Sequence, residues 1–473
     1  MAFSEDYERQ VGRDAGLSMT APDQSVDGLS DFAELMAHDQ ELSGDRIDPA
    51  VRRKRRRRGL IITAACIVLL LAATAGYVGW ALTAPVNPPA VTTRTPQAPV
   101  GDTVAIATPT AAATAVSITG GDAYLGEAAS GTWSATGSGE PLPIASITKL
   151  VTALVILDAA PLTSADDPGP TITFGKSDHD LYDQYYVQGA TIAPMPTGTS
   201  MSLHDALAVM LIPSASNYAE ALSSRIFGSQ NAFLGATQNW LASHGLTGTT
   251  VTEPTGISPR NMSTPADLLA IAKLAAAHPA IAQIVATPSV SVPGAGQLYN
   301  TNGLLGTAGI TGLKTGNLGE GTHSLLYTST LEVGAADPLA ITGVVLGGSS
   351  RESVNATVIA TLESIRSGFH EVSVATDGQE VGSISTPWGS TATLVIGESA
   401  SIFTWSDTPI ELTMDIETPP TYRDGTVVGS VTWTAGPNTV TAPVKIAGNI
   451  DPPTEWWRLT HPSELGSLTD AGD

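Results

Sequence analysis

The chain is 473 residues long, 42% hydrophobic and only 14% charged, with a formal net charge of −23. Acidity on that scale argues against nucleic acid as a partner, and a single cysteine, Cys66, excludes a disulfide framework and a cysteine-built metal site. Positive charge is concentrated: seven of the 22 basic residues form the run 52–58 and only twelve lie beyond it, so each lysine in the acidic remainder needs its own explanation.

A chain of this length accommodates two or three domains. Residues 1–51 are polar and acidic with little periodicity and read as a disordered tail, which the basic run closes at residue 58. Residues 59–82 carry no charge and are long enough to cross a bilayer as a helix. A cleavable signal peptide competes, with Leu82-Thr83-Ala84 as a loose cleavage site. Its apolar core would be longer than usual and would follow a long polar leader, so an uncleaved anchor is preferred. The basic run places the N-terminal side in the cytoplasm and everything after Leu82 outside, with Tyr77 and Trp80 at the outer interface. Residues 83–114 are rich in Pro, Thr and Ala and read as an extended spacer holding the next domain off the membrane.

Residues 115–370 alternate helical and strand patterns. After Ser146 the sequence is apolar to Leu157 without Gly or Pro, which predicts a buried helix with Pro143 just before its first turn. Ser146 and Lys149, three apart, share a face of it. A serine hydroxyl is a poor nucleophile without a base, and a lysine that burial has discharged can be that base. Taken alone, a solvated pair spaced by chance is the plainer reading.

The polar, Tyr-rich stretch 178–186 reads as a loop, with His179 expected to be solvated rather than catalytic. Ser202 is expected to cap a helix with Leu203, Leu207, Met210 and Leu211 on one face. That helix stops at Pro213, and 214–217 form the turn before a helix over 218–227. Further helices run from Phe233 through Trp240 to a stop at Gly245, and over 266–277 behind Thr264-Pro265. Strands at 310–315, 324–330 and 339–346 should pair antiparallel, and a helix over 352–369 closes the region. Lys314 stands in Gly312-Leu313-Lys314-Thr315-Gly316, on a strand whose final glycine permits close approach. Over 371–448 helical periodicity disappears, and strands at 391–396, 410–416, 427–433 and 440–446 predict a small all-β domain of sandwich type. The tail 449–473 carries Trp456-Trp457-Arg458 and is expected to pack on that β domain, since a membrane-surface helix would want more Lys and Arg.

Ser146-x-x-Lys149, the turn at Ser214 and Lys314-Thr315-Gly316, in that order, resemble the penicillin-recognising serine enzymes. The similarity is to the low-molecular-mass penicillin-binding proteins that are serine-type D-alanyl-D-alanine carboxypeptidases. It extends over roughly 115–448 and through the stretches around Met210-Leu211-Ile212-Pro213, Glu253-Pro254-Thr255-Gly256 and Asn300-Thr301-Asn302-Gly303. It implies an α/β (α+β) transpeptidase/β-lactamase-like domain, an antiparallel sheet flanked by helices, followed by the β domain.

The resemblance further implies that Ser146 forms an acyl-enzyme with the penultimate D-Ala of peptidoglycan stem peptides and is acylated by β-lactams. Lys149 would be the base, and Ser214 would hydrogen-bond both and relay a proton to the departing D-Ala. Lys314 and Thr315, with Gly316, would hold the terminal carboxylate. The N–H groups of Ser146 and Asn317 would form the oxyanion hole, and no cofactor or metal is implied. The chain departs from the family's S-x-N turn: Ser216 stands where Asn is usual, and Asn217 follows one place later. Ser216 and Asn217 are therefore both candidate substrate-binding residues. A β-lactamase-like hydrolase, or a wall-binding protein of weak activity, are the alternatives.

Overall fold

The computed structural model describes residues 48–99, 103–107 and 113–466. The expected acidic tail, up to residue 47, lies outside them. The chain divides into two compact units, 1–87 with 453–473, and 88–452.

In the first unit, a single helix, Pro49–Thr83, absorbs both the basic run and the apolar stretch. Asp48 caps it by accepting from the Ala50 N–H, with Pro49 at its first position. Leu60, Ile61, Leu69, Leu70 and Leu71 are all exposed, an apolar surface larger than water tolerates on a monomer. A short helix, Glu455–Thr460, returns to the far end of this helix. The tail expected on the β domain thus packs on the C-terminal end of the long helix. The reason is electrostatic: the last carbonyls of a helix lack intrahelical donors, and the Arg458 guanidinium donates to those of Ala81 and Ala84 at 3.3 and 2.7 Å.

The second unit is built on a five-stranded antiparallel sheet. Taken in chain order, its strands are β2 (Ala113–Thr119), β3 (Ser134–Thr136), β4 (Ile310–Gly316), β5 (His323–Leu331) and β6 (Leu339–Gly348), and their spatial order is β4-β5-β6-β2-β3; β1 (Ala90–Thr93) belongs elsewhere. Alternation sends Leu313, Leu326, Val344 and Leu346 into one core and Leu325, Tyr327, Ile341 and Val345 into another on the opposite face. The first core is covered by α1 (Thr148–Ala159), α3 (Leu203–Leu211), α4 (Ser216–Phe227), α5 (Gln230–Ser243), α6 (Pro265–Ala277) and α7 (Pro279–Ala286); α2 (Lys176–Val187) packs on α4. The second core is covered by α8 (Arg351–Gly368). Residues 148–157 of α1 are buried on every side, as a predominantly apolar helix requires, with Thr148, Lys149 and Thr152 the polar exceptions. Residues 178–186, expected as a loop, lie in α2. Asp178 accepts from the Gly175 N–H and pairs with Arg225, and Tyr185 bonds Glu220, so polar partners rather than an apolar stripe hold the helix. His179 Nδ1 is spent on the Met195 carbonyl.

The β domain is a six-stranded sheet, ordered β1-β8-β9-β13-β12-β11, facing a two-stranded one, β7-β10. The strands are β7 (Phe369–Ala375), β8 (Glu380–Ser385), β9 (Thr391–Ile396), β10 (Ala400–Trp405), β11 (Ile410–Ile416), β12 (Val427–Ala435) and β13 (Asn438–Ala447). Its outermost strand, β1, comes from the stretch read as a spacer and pairs with β8 in the register Ala90↔Ser385. Val91, Thr92 and Thr93 favour strands, and the edge of β8 offers them unpaired backbone groups. Farther on, Ala107 bonds Ser364 and Thr361 of α8. An aromatic cluster joins the two-stranded sheet to the second core of the five-stranded one: Trp405 meets Trp133, just before β3, at 5.5 Å and Phe369 at 5.0 Å between ring centroids.

Candidate active site

Ser146 sits in a single 3₁₀ turn, Ala145–Ile147, that feeds α1. Two glycines hold this turn from either side. Gly256, at φ +82°, lies so close that a Cβ would overlap the Ala145 carbonyl, and a Cβ on Gly316 would stand 2.8 Å from the Ile144 carbonyl oxygen. Ala145 itself is held in the left-handed region, at φ +49°, which costs an L-residue of order 1 kcal/mol. The surrounding backbone therefore dictates where the Ser146 side chain emerges.

One helical turn on, Lys149 is completely buried, and its Nζ lies 3.0 Å from Ser146 Oγ and donates to the Thr255 carbonyl at 2.6 Å. Burial lowers its pKa to about 7, against an opposing pull from the Glu253 carboxylate. Near neutral pH a large fraction is the free amine, able to take the Ser146 proton. Glu253 also shapes the loop that holds Lys149. It accepts from the N–H groups of Thr255, Gly256 and Ser258 and from the Asn261 amide, which in turn reaches Thr148 on α1.

Ser214 stands across the cleft at φ +73°, and its Oγ is buried with no hydrogen-bond partner among the described residues. It bonds neither Ser146 nor Lys149, as the resemblance would have it, because the lysine amine is turned to Ser146 and Thr255. An orphaned buried hydroxyl costs about 1–3 kcal/mol, and this one belongs to a residue that lines the cleft.

The fourth wall is the end of β4. Lys314 is buried, with Nζ 3.2 Å from the Thr315 carbonyl; desolvation holds its pKa well below the ordinary lysine value, and the charges of Lys149 and Arg351 lower it further. Thr315 and Thr301 share a hydroxyl–hydroxyl bond of 2.7 Å, and Arg351, at the start of α8, reaches the Thr301 carbonyl at 3.5 Å. Ser146, Ser214, Ser216, Thr315, Asn317 and Arg351 all line one cleft of about 370 Å³. Positive charge beside Lys314 opposes its charging, and an anion placed between these groups would relieve that opposition.

A family described as Peptidase S11, D-alanyl-D-alanine carboxypeptidase, matches residues 109–349, just over half of the chain. The chain belongs to that family. A D-alanyl-D-alanine endopeptidase of Pseudomonas aeruginosa is 31% identical over 198 residues, 40% of this chain and 60% of the relative. Its counterpart in Escherichia coli is 32% identical over 146 residues, 31% of this chain and 43% of the relative. The chain thus spans less than two thirds of these curated relatives. Among solved structures, a D-alanyl-D-alanine carboxypeptidase from Francisella tularensis is similar at 16% identity, over 75% of this chain and 97% of that one, with a TM-score of 0.48.

As a member of the D-alanyl-D-alanine carboxypeptidase family, the chain departs from the family's turn at Ser216 and Asn217. Ser216 opens α4 and lines the cleft. Asn217, the other candidate, is not among the residues that line the cleft. It is completely buried, its amide donating to the Ala193 carbonyl at 2.8 Å and accepting from the Ala193 N–H at 3.1 Å. A one-residue step on a helix turns a side chain by about 100°, so Asn217 cannot replace an amide at 216. Sequence reading assigned no role to Glu253, Thr301 or Arg351. The signal available was local: a Glu three residues before a glycine, and an Arg opening a helix.

Proposed function

We propose that the chain is a membrane-anchored serine peptidase that acts on peptidoglycan stem peptides ending in D-Ala-D-Ala. The observation that carries this reading is Lys149, buried, near pKa 7 and 3.0 Å from Ser146 Oγ, in a cleft that two further cations prepare for an anion. Neutral Lys149 takes the Ser146 proton as Oγ attacks the carbonyl of the penultimate D-Ala. The N–H groups of Ser146 and Asn317 receive the developing oxyanion. Ser214 bonds the departing amine and relays to it the proton that Lys149 took from Ser146, which returns Lys149 to the free amine. Lys314, Thr315 and Arg351 hold the leaving residue's carboxylate, whose charge favours recharging Lys314. Water then repeats the sequence on the acyl-enzyme, and a β-lactam enters at the acylation step.

The seven cations at 52–58 support a topology with that end of the long helix in the cytoplasm and the cleft on the wall side. The test is incubation of the full chain with defined muropeptides. Release of D-Ala from an uncrosslinked pentapeptide, together with labelling of Ser146 by a fluorescent penicillin, supports a carboxypeptidase. The relatives named endopeptidases favour a second reading, cleavage of D-Ala cross-links, which the same assay detects on dimeric muropeptides. Absence of both products and of labelling in folded wild-type protein sinks the enzyme reading.

A further inference from the structure

The long helix and the C-terminal segment meet in a way that the peptidase reading does not use. At the last turn of the helix the Tyr77 hydroxyl donates to the Leu459 carbonyl at 2.7 Å, and Arg458 donates to the carbonyls of Ala81 and Ala84. Beyond the turn, Gly466 N–H donates to the Pro85 carbonyl at 2.8 Å, beside a bridge between Val86 and Leu465. Ala81, Ala84 and Leu465 are buried there, with Trp80, Trp457 and Leu459 packed around them. Tyr77 and Trp80 lie 5.9 Å apart, while Trp456 is 74% exposed, with its indole presented outward from the short helix.

We propose that residues 453–466 form an aromatic collar around the membrane exit of the Pro49–Thr83 helix and seat Trp456 in the outer headgroup layer of the bilayer. The inference rests on the proposed anchor, since residues 59–82 fix the depth at which that layer begins. Tyr77 and Trp80 are then at interfacial depth, and the segment bonded to them is held at the same level. An indole, with an apolar body and one N–H donor, suits that layer. Basic attraction to anionic lipid is not the driving force: the short helix carries Glu455 against Arg458, and Arg458 is spent on helix carbonyls. The collar's affinity is therefore set by apolar and aromatic burial and is indifferent to lipid charge. The chain leaves the bilayer at residue 83 and comes back to it at residue 453, so a cut between those points does not free the piece that follows it.

The test uses the full chain with Cys66→Ser and a single nitrobenzoxadiazole label at Glu455→Cys, reconstituted in phosphatidylcholine vesicles with and without phosphatidylglycerol. The expected result is quenching by lipids with a spin label near the headgroup, weaker quenching by deep spin labels, and the same values in both lipid mixtures. Arg458→Ala should remove the shallow quenching while the protein still floats with the vesicles. Co-flotation without quenching of the label overturns the collar and leaves the anchor standing. Quenching that survives Arg458→Ala overturns the docking on the helix exit. Failure of wild type to float with vesicles overturns the anchor and the collar with it.

Discussion

Lys149 and Lys314 are both buried behind the wall of one cleft, and the charge on the first lowers the proton affinity of the second. Two desolvated lysines that oppose one another's charging are costly to a fold. The cost is intelligible if one must be neutral to act as a base and the other must meet an anion.

The pH dependence of acylation follows from Lys149. Its folded-state pKa of about 7 lies below the ordinary 10.5, so the neutral base is present above about pH 7 and lost below it. Labelling by a fluorescent penicillin should be flat above about pH 8 and fall about tenfold per unit below about pH 6. Stability carries the same group with a fixed sign. Between about 7 and 10.5 the unfolded chain binds the extra proton, so this lysine's penalty shrinks as pH rises through that window. Lys149→Met should lose about 10²–10⁴ in acylation rate while melting no lower than wild type at pH 7. A lower melting temperature, or retained acylation, contradicts the assignment.

Glu253 tests the same base from the other side. Its carboxylate is the attraction that keeps Lys149 from falling further, and it also folds the 253–258 loop. Glu253→Gln keeps one of the two acceptor oxygens and removes the charge. The acid limb of the acylation profile should then move to lower pH, whatever happens to the plateau. A lowered plateau with an unmoved limb would mean that the loop's shape is all that Glu253 provides.

Gly256→Ala should damage the site although Gly256 brings no side chain to it. The new methyl would overlap the Ala145 carbonyl, and φ +82° disfavours any side chain. Relief moves the turn carrying Ser146, so acylation should fall by at least an order of magnitude, with a stability loss of about 1–3 kcal/mol. Thermal melts and penicillin labelling check the two effects, and wild-type values in both would show that the turn has room.

The helix after Ser146, the central strands and the all-β character of 371–448 were legible because their apolar periods are dictated by burial. What sequence could not show depended on partners distant in the chain. Residues 178–186 form a helix because Arg225 and Glu220 receive their polar groups, and 90–93 form a strand because β8 has a free edge. The tail docks on the long helix because that helix has carbonyls to spare. In the site, the residue types with unusual chemistry were visible, whereas Glu253 and Arg351 are ordinary surface residues by composition and act only through where the fold puts them.

Asn217 separates packing from substrate contact most cleanly. Both ends of its amide are bonded to Ala193, inside a fully buried pocket behind the cleft wall. Asn217→Ala leaves two buried backbone groups of Ala193 unpaired, which costs about 1–3 kcal/mol each at most. The variant should therefore melt several degrees lower, while penicillin acylation of the protein that remains folded stays within about twofold of wild type. Ser216→Asn is its converse. It puts an amide on the cleft wall, leaves the Ala193 bonds intact, and should change release of the acyl group far more than its formation. If Asn217→Ala melts like wild type but loses acylation, Asn217 reaches the substrate after all and the turn must rearrange on binding.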